Sequence, residues 1–148
     1  MAEDAVEGRA LKEMMKESHG RLAAKKTLLL VLLPMLGTFA CLRLYLHLAG
    51  VRHIYPGGVL VHHLFIGVMI AVPAAFVVAF GARGRVAAMA ALMALGIGSG
   101  MILDEVTYLV LTKGSDADYV SRASLFGAIG FVSAAVILLL ALYWIHRD

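Results

Sequence analysis

Cysteine is nearly missing from this chain: Cys41 stands alone, so no disulfide framework can form within it. Charge is sparse too, at 16% of residues, against about 25% in an ordinary soluble protein. The formal charge of +3 comes with no basic patch interleaved with aromatics, which argues against a nucleic-acid partner. No repeat of 20 to 50 residues is visible, and the halves show no inverted symmetry. A cleaved signal peptide is not expected, because the first apolar run starts late, is long enough to span and lacks a small-x-small exit. Thr38-Phe39-Ala40-Cys41 looks like a lipoprotein cleavage site, but apolar sequence continues beyond Cys41.

What the chain has in abundance is apolar sequence in long blocks, 61% of residues overall with a mean hydropathy of +0.88. That is the composition of an integral membrane protein. A bilayer core of about 30 Å takes about 20 residues of helix. Four blocks reach that length: Thr27 to Leu48, Gly57 to Phe80, Val86 to Leu111 and Ala123 to Ile145. The short connections make neighbouring helices antiparallel, so the expected fold is an all-α, four-helix transmembrane bundle. Lys and Arg concentrate in the amino-terminal segment, the second loop (Arg83, Arg85) and the tail (Arg147). The positive-inside rule then puts both termini in the cytoplasm of a multi-pass protein of the cell membrane. For residues 1–26, Val6, Leu11, Met14, Met15 and Leu22 approach helical spacing. An amphipathic helix on the membrane surface and a solvated tail both fit that pattern.

Ionisable groups inside such blocks are costly and mark function. His62 and His63 lie in the second block, Asp104 and Glu105 in the third. His63, Gly67, Ala71 and Ala74 form a stripe of small residues at helical spacing, with His62 directed about 100° away. Gly96 and Gly100 form a GxxxG pair that Asp104 continues, with Glu105 beside it and Tyr108 one turn on. Counting residues from the ends of the blocks puts His63 and Asp104 at the same depth, about 9 to 11 Å from one membrane face. Arg43, His47, Arg122 and Ser124 come within vertical reach of that layer.

Several readings compete. A divalent transition metal such as Zn, Mn or Fe would use His63, Asp104 and Glu105, with His62 or His47 added and Arg43 or Tyr108 behind them. A satisfied ion-pair cluster would set helix register without a ligand. A proton or cation relay would use the same groups but would need an oligomer. A haem held by His47 and His63 has no further matching positions to support it. Ile97-Gly98-Ser99-Gly100 lacks the glycine two before the serine that a membrane serine protease carries. Arg52, His53 and Trp144 read as interfacial, and Asp116, Asp118 and Tyr119 as a solvated turn rather than a lid.

The order Arg52, Tyr55, His62-His63, Gly67, Gly96-x-Gly98-x-Gly100, Asp104-Glu105 and Tyr119 resembles an uncharacterised family of small four-span prokaryotic integral membrane proteins. These have HH in span two and a glycine-rich span three ending in DE. The resemblance covers residues 43 to 124 and implies that His63, Asp104 and Glu105 act as a unit; it implies no activity. The single HH lacks the further histidine boxes of membrane desaturases. The functional expectation is a small metal-binding membrane protein. Its alternatives are a non-enzymatic structural or assembly protein with a buried ion-pair cluster and a proton or cation conductor. If the site is catalytic, a metal-activated water with Glu105 as base is the natural chemistry. The expected partners are the lipid bilayer and a second copy or another membrane protein.

Overall fold

A computed structural model describes the backbone of residues 2–50, 61–113 and 115–147, and side chains at Met14 and from Gly20 onward within those ranges. Arg52 and His53, read above as interfacial, Tyr55 of the resembling motif and the expected start of the second block at Gly57 lie outside the described residues. The described chain is helical, with no strand: α1 (Ala2–Ala49), α2 (His63–Ala79), α3 (Arg85–Leu111), a single turn α4 (Asp116–Tyr119) and α5 (Arg122–His146). Within α1 the stretch Gly20–Ala49, and all of α3 and α5, are long and apolar enough to cross a membrane. Seventeen residues make α2 shorter, about 25 Å at the helical rise.

The third and fourth apolar blocks fold within one residue of the bounds read from sequence. The first extends further, because α1 runs without interruption from Ala2 through Pro34 to Ala49. It ends where Gly50 takes a left-handed φ of 71° and its N–H donates to the Leu46 carbonyl, a conformation that a Cβ would strain. The second block differs. Its helix begins at His63 rather than at Gly57, and His62 is its extended N-cap residue, with ψ of 144°.

Helix α3 is the centre, packed against α2 and α1 most extensively and against α5 to a lesser degree. Its glycines serve two neighbours. A Cβ on Gly100 would come within 2.6 Å of the Met35 carbonyl oxygen, and one on Gly96 would collide with the Val31 carbonyl. Gly98, on the far side, faces α2, where a Cβ would sit 2.5 Å from the Gly67 carbonyl oxygen. Glycine is required at all three because backbone meets backbone there. The expected small stripe of α2 is present, with Gly67, Ala71 and Ala74 buried. These contacts also fix direction. Residues 31, 35 and 43 of α1 rise alongside 96, 100 and 104 of α3, so α1 and α3 are parallel and α2 runs against both. Helix α5 is antiparallel to α1, its residues 139–146 lying beside residues 24–31.

Replacing Gly98 with Val should lower stability by about 1–3 kcal/mol through overpacking. Gly130, whose Cβ direction is open, should accept Ala without loss. Unfolding in mixed micelles would compare the two, and equal midpoints for both variants would remove the close-packing argument.

Candidate functional site

The carboxylates of Asp104 and Glu105 reach the same end of the bundle from adjacent positions on α3, and both are sealed from solvent, at 0% and 2% exposure. Adjacent helical residues diverge by about 100°, so the two carboxylates serve largely different partners and share only His63. Asp104 Oδ1 accepts from Nε of Arg43 on α1. Its Oδ2 lies 3.0 Å from the Tyr119 hydroxyl, which donates to it, and 3.1 Å from Nε2 of His63. Arg43 is spent on several elements at once. Its Nη2 donates to the Asp104 backbone carbonyl at 2.7 Å, and its terminal nitrogens lie 3.4 Å from Ser124 Oγ and from the Tyr119 carbonyl.

Among the described residues, Glu105 has no arginine or lysine partner. Oε1 accepts from His62 Nδ1 at 2.5 Å, and Oε2 accepts from the backbone N–H of Leu64 at 2.7 Å. The second bond caps α2 from outside: the His62 side chain makes no cap, and a carboxylate from α3 takes one of the orphan N–H groups of the first turn. An anion there also meets the positive end of the α2 dipole. His63 Nδ1 stands 3.4 Å from Glu105 Oε2, so His63 faces Asp104 with one nitrogen and Glu105 with the other. Both contacts become hydrogen bonds only when each ring nitrogen carries a hydrogen.

The expected divergence of His62 from His63 is overturned. The 100° offset holds only if both residues are helical, and His62 precedes the helix. Its extended backbone turns the ring back onto Glu105, and the two histidines converge, at 20% and 18% side-chain exposure. The late start of α2 also moves His63 from six residues inside a helix to its first position.

Tyr119 is the residue that sequence reasoning missed. The solvated-turn reading gives way to a one-turn helix with a capping box: the Ser115 hydroxyl accepts from the Asp118 N–H while the Asp118 carboxylate accepts from the Ser115 N–H. Those bonds hold the Asp118 carboxyl below its ordinary range. The capped turn drives Tyr119 inward against Tyr108, ring centroids 4.6 Å apart. Burial, with the charges of Asp104 and Glu105, pushes the Tyr119 phenol well above the usual tyrosine range, which keeps it a donor to Asp104. The only signal for Tyr119 was its place in the resembling motif. Tyr108 is buried 6.2 Å from the His62 ring, while Ser124 joins the cluster directly. His47 is exposed, in a groove it shares with Arg43, Leu44 and Val120, and makes no bond to either carboxylate among the described residues. Arg122 is also exposed, at the first position of α5.

Among the described residues, no three His, Cys, Asp or Glu side chains are arranged to hold a metal ion. Comparison of the chain with family models, curated proteins and solved structures finds no match.

Removing one partner of a buried ion pair leaves an uncompensated charge and costs about 3–5 kcal/mol. Arg43→Gln and Asp104→Asn should each lose stability on that scale, and the double variant should lose clearly less than their sum. Additivity within about 0.5 kcal/mol in a double-mutant cycle would mean that the pair is not coupled.

Proposed function

We propose that this chain is a four-span integral membrane protein with both termini cytoplasmic, in which the buried cluster near the extracytoplasmic face is an assembly lock. The observation that carries this reading is that all four carboxylate oxygens of Asp104 and Glu105 are already engaged by protein donors. An open ligand site would leave a carboxylate oxygen without a protein donor, whereas a polar cluster that sets helix register supplies one to each. Arg43 beside Asp104 also repels any incoming cation. The four spans are α1, α2, α3 and α5, with α2 reaching the far face through the cluster. The orientation rests on Lys25, Lys26, Arg83, Arg85 and Arg147 standing at one end of the bundle.

A relay across the membrane is disfavoured by the same packing that builds the lock. Beyond Asp104, towards the basic end, α1, α2 and α3 meet through glycine-to-backbone contacts too tight for a water file.

Metal binding is the second reading, and one feature favours it. Arg43 compensates Asp104, whereas Glu105 faces two imidazoles and, among the described residues, no fixed cation. His62, His63 and Glu105, which are not arranged around one point as they stand, would have to rearrange into a His2Glu donor set for a divalent Zn, Mn or Fe ion, giving up the hydrogens between them. The metal would there polarise a bound water, with Glu105 a ligand rather than a base.

Elemental analysis of protein purified in mild detergent without chelator separates the two. The lock predicts no stoichiometric metal, even after incubation with Zn²⁺, Mn²⁺ or Fe²⁺. It also predicts that His63→Gln, which keeps some hydrogen bonding, is more stable than His63→Ala. Near-stoichiometric metal in the wild type that is lost in both variants would replace the lock with the metal site.

A further inference from the structure

Helix α5 holds the bundle only along its first half. Ser124, Ala128 and Val132 are its buried residues, and beyond Val132 none of its described residues is buried. The second half stands off, leaving an apolar cleft against α1 and α3. One cavity of about 310 Å³ is walled by Met35, Leu95, Ser99, Leu138 and others. It shares Val31 and Leu139 with a second of about 190 Å³ that continues to Thr27, Tyr143 and His146. The two adjoin at Val31 and Leu139 and follow one another along α1 and α5 as a single slot, towards the end where α1 enters and α5 leaves.

We propose that this slot holds one acyl chain of an anionic phospholipid from the leaflet at that end, with its phosphate at the mouth. Size selects a chain over a protein segment. A helix with its side chains is about 10–12 Å across, too thick for cavities of a few hundred Å³. Polarity follows the same order as a lipid: hydrocarbon walls in the depth, then Thr27, Tyr143 and His146 at the opening. The charge at that end selects the headgroup. Nearest the mouth stand the basic positions Arg21, Lys25, Lys26, Arg83, Arg85 and Arg147, and the acidic positions of α1, Glu17 the nearest of them, lie further out along the helix. Clusters of this kind attract anionic lipid over zwitterionic lipid. The inference does not use the His/carboxylate cluster, which lies at the opposite end.

The test reconstitutes the full chain in nanodiscs of phosphatidylglycerol and phosphatidylcholine in equal parts, releases it into mild detergent and measures retained lipid by native mass spectrometry. Wild-type protein should keep one phosphatidylglycerol. Ala135→Trp, which fills the slot, should lose it several-fold, and Leu140→Trp, outside the slot and exposed, should not. Lys25→Gln with Lys26→Gln should bring the two lipids towards parity. Folded wild type without retained lipid, equal retention of both lipids by the wild type, or retention undiminished in Ala135→Trp would overturn the proposal. Should Ala135→Trp fail to fold, electron spin resonance of the wild type decides. Spin-labelled phosphatidylglycerol should show a larger immobilised component than spin-labelled phosphatidylcholine, and equal components would reject the slot.

Discussion

A carboxylate with no solvent exposure cannot keep its charge in an apolar bundle unless a cation and hydrogen-bond donors replace the water it has lost. Asp104 finds both in Arg43, and much of the architecture follows from that pairing. The guanidinium reaches from α1 to the Asp104 side chain and backbone on α3, to the Tyr119 carbonyl at the end of α4, and to Ser124 at the start of α5. One planar fork therefore ties four elements together, which a lysine ammonium could not match in geometry. The glycines of α3 make the reach possible. Only when Gly96 and Gly100 let α1 approach to backbone contact does Arg43 lie close enough to meet Asp104.

Glu105 solves a different problem on the other side of α3. At the first turn of α2 the Phe65 N–H donates to the His62 carbonyl, but the Leu64 N–H gets no cap from the N-cap residue, a histidine whose ring is turned away. A carboxylate from the neighbouring helix supplies the cap and takes the His62 ring with its other oxygen. The adjacent Asp-Glu pair thus works by divergence, one carboxylate fixing α1, α4 and α5 and the other fixing the start of α2. The adjacent His pair works by convergence, because the helix begins between them.

That contrast explains what the residues alone disclosed. Periodicity located α3 and α5 to within a residue, identified the small faces of α2 and α3, and set His63 level with Asp104, since each of these depends only on spacing along one helix. The direction of His62 depends on where a helix starts, and the apolar run Gly57 to Phe80 carries no mark of a start at His63. The inward turn of Tyr119 depends on a capping box at Ser115 and Asp118 whose residues are also those of an ordinary loop. The direct pairing of Arg43 with Asp104 depends on how closely two helices approach. Depth counting brought Arg43 within vertical reach of the layer without pairing it with Asp104.

The same spacing that builds the lock also opens the cleft. Ser124, Ala128 and Val132 recur every four residues, and a ridge of that kind inclines by about 26° to its helix axis. A helix that packs along such a ridge crosses its neighbour at an angle. It is therefore held where the ridge meets α3, at Ser124 and at the Gly127 contact with Thr107, and it diverges with distance from there. Beyond Val132 the residues of α5 that face α1 and α3 continue as Ala135, Leu139, Leu142 and His146, and they line the cavities there without being buried. The bundle is held most closely at the charged end, and the cavities at the basic end are where the proposed acyl chain would complete its packing.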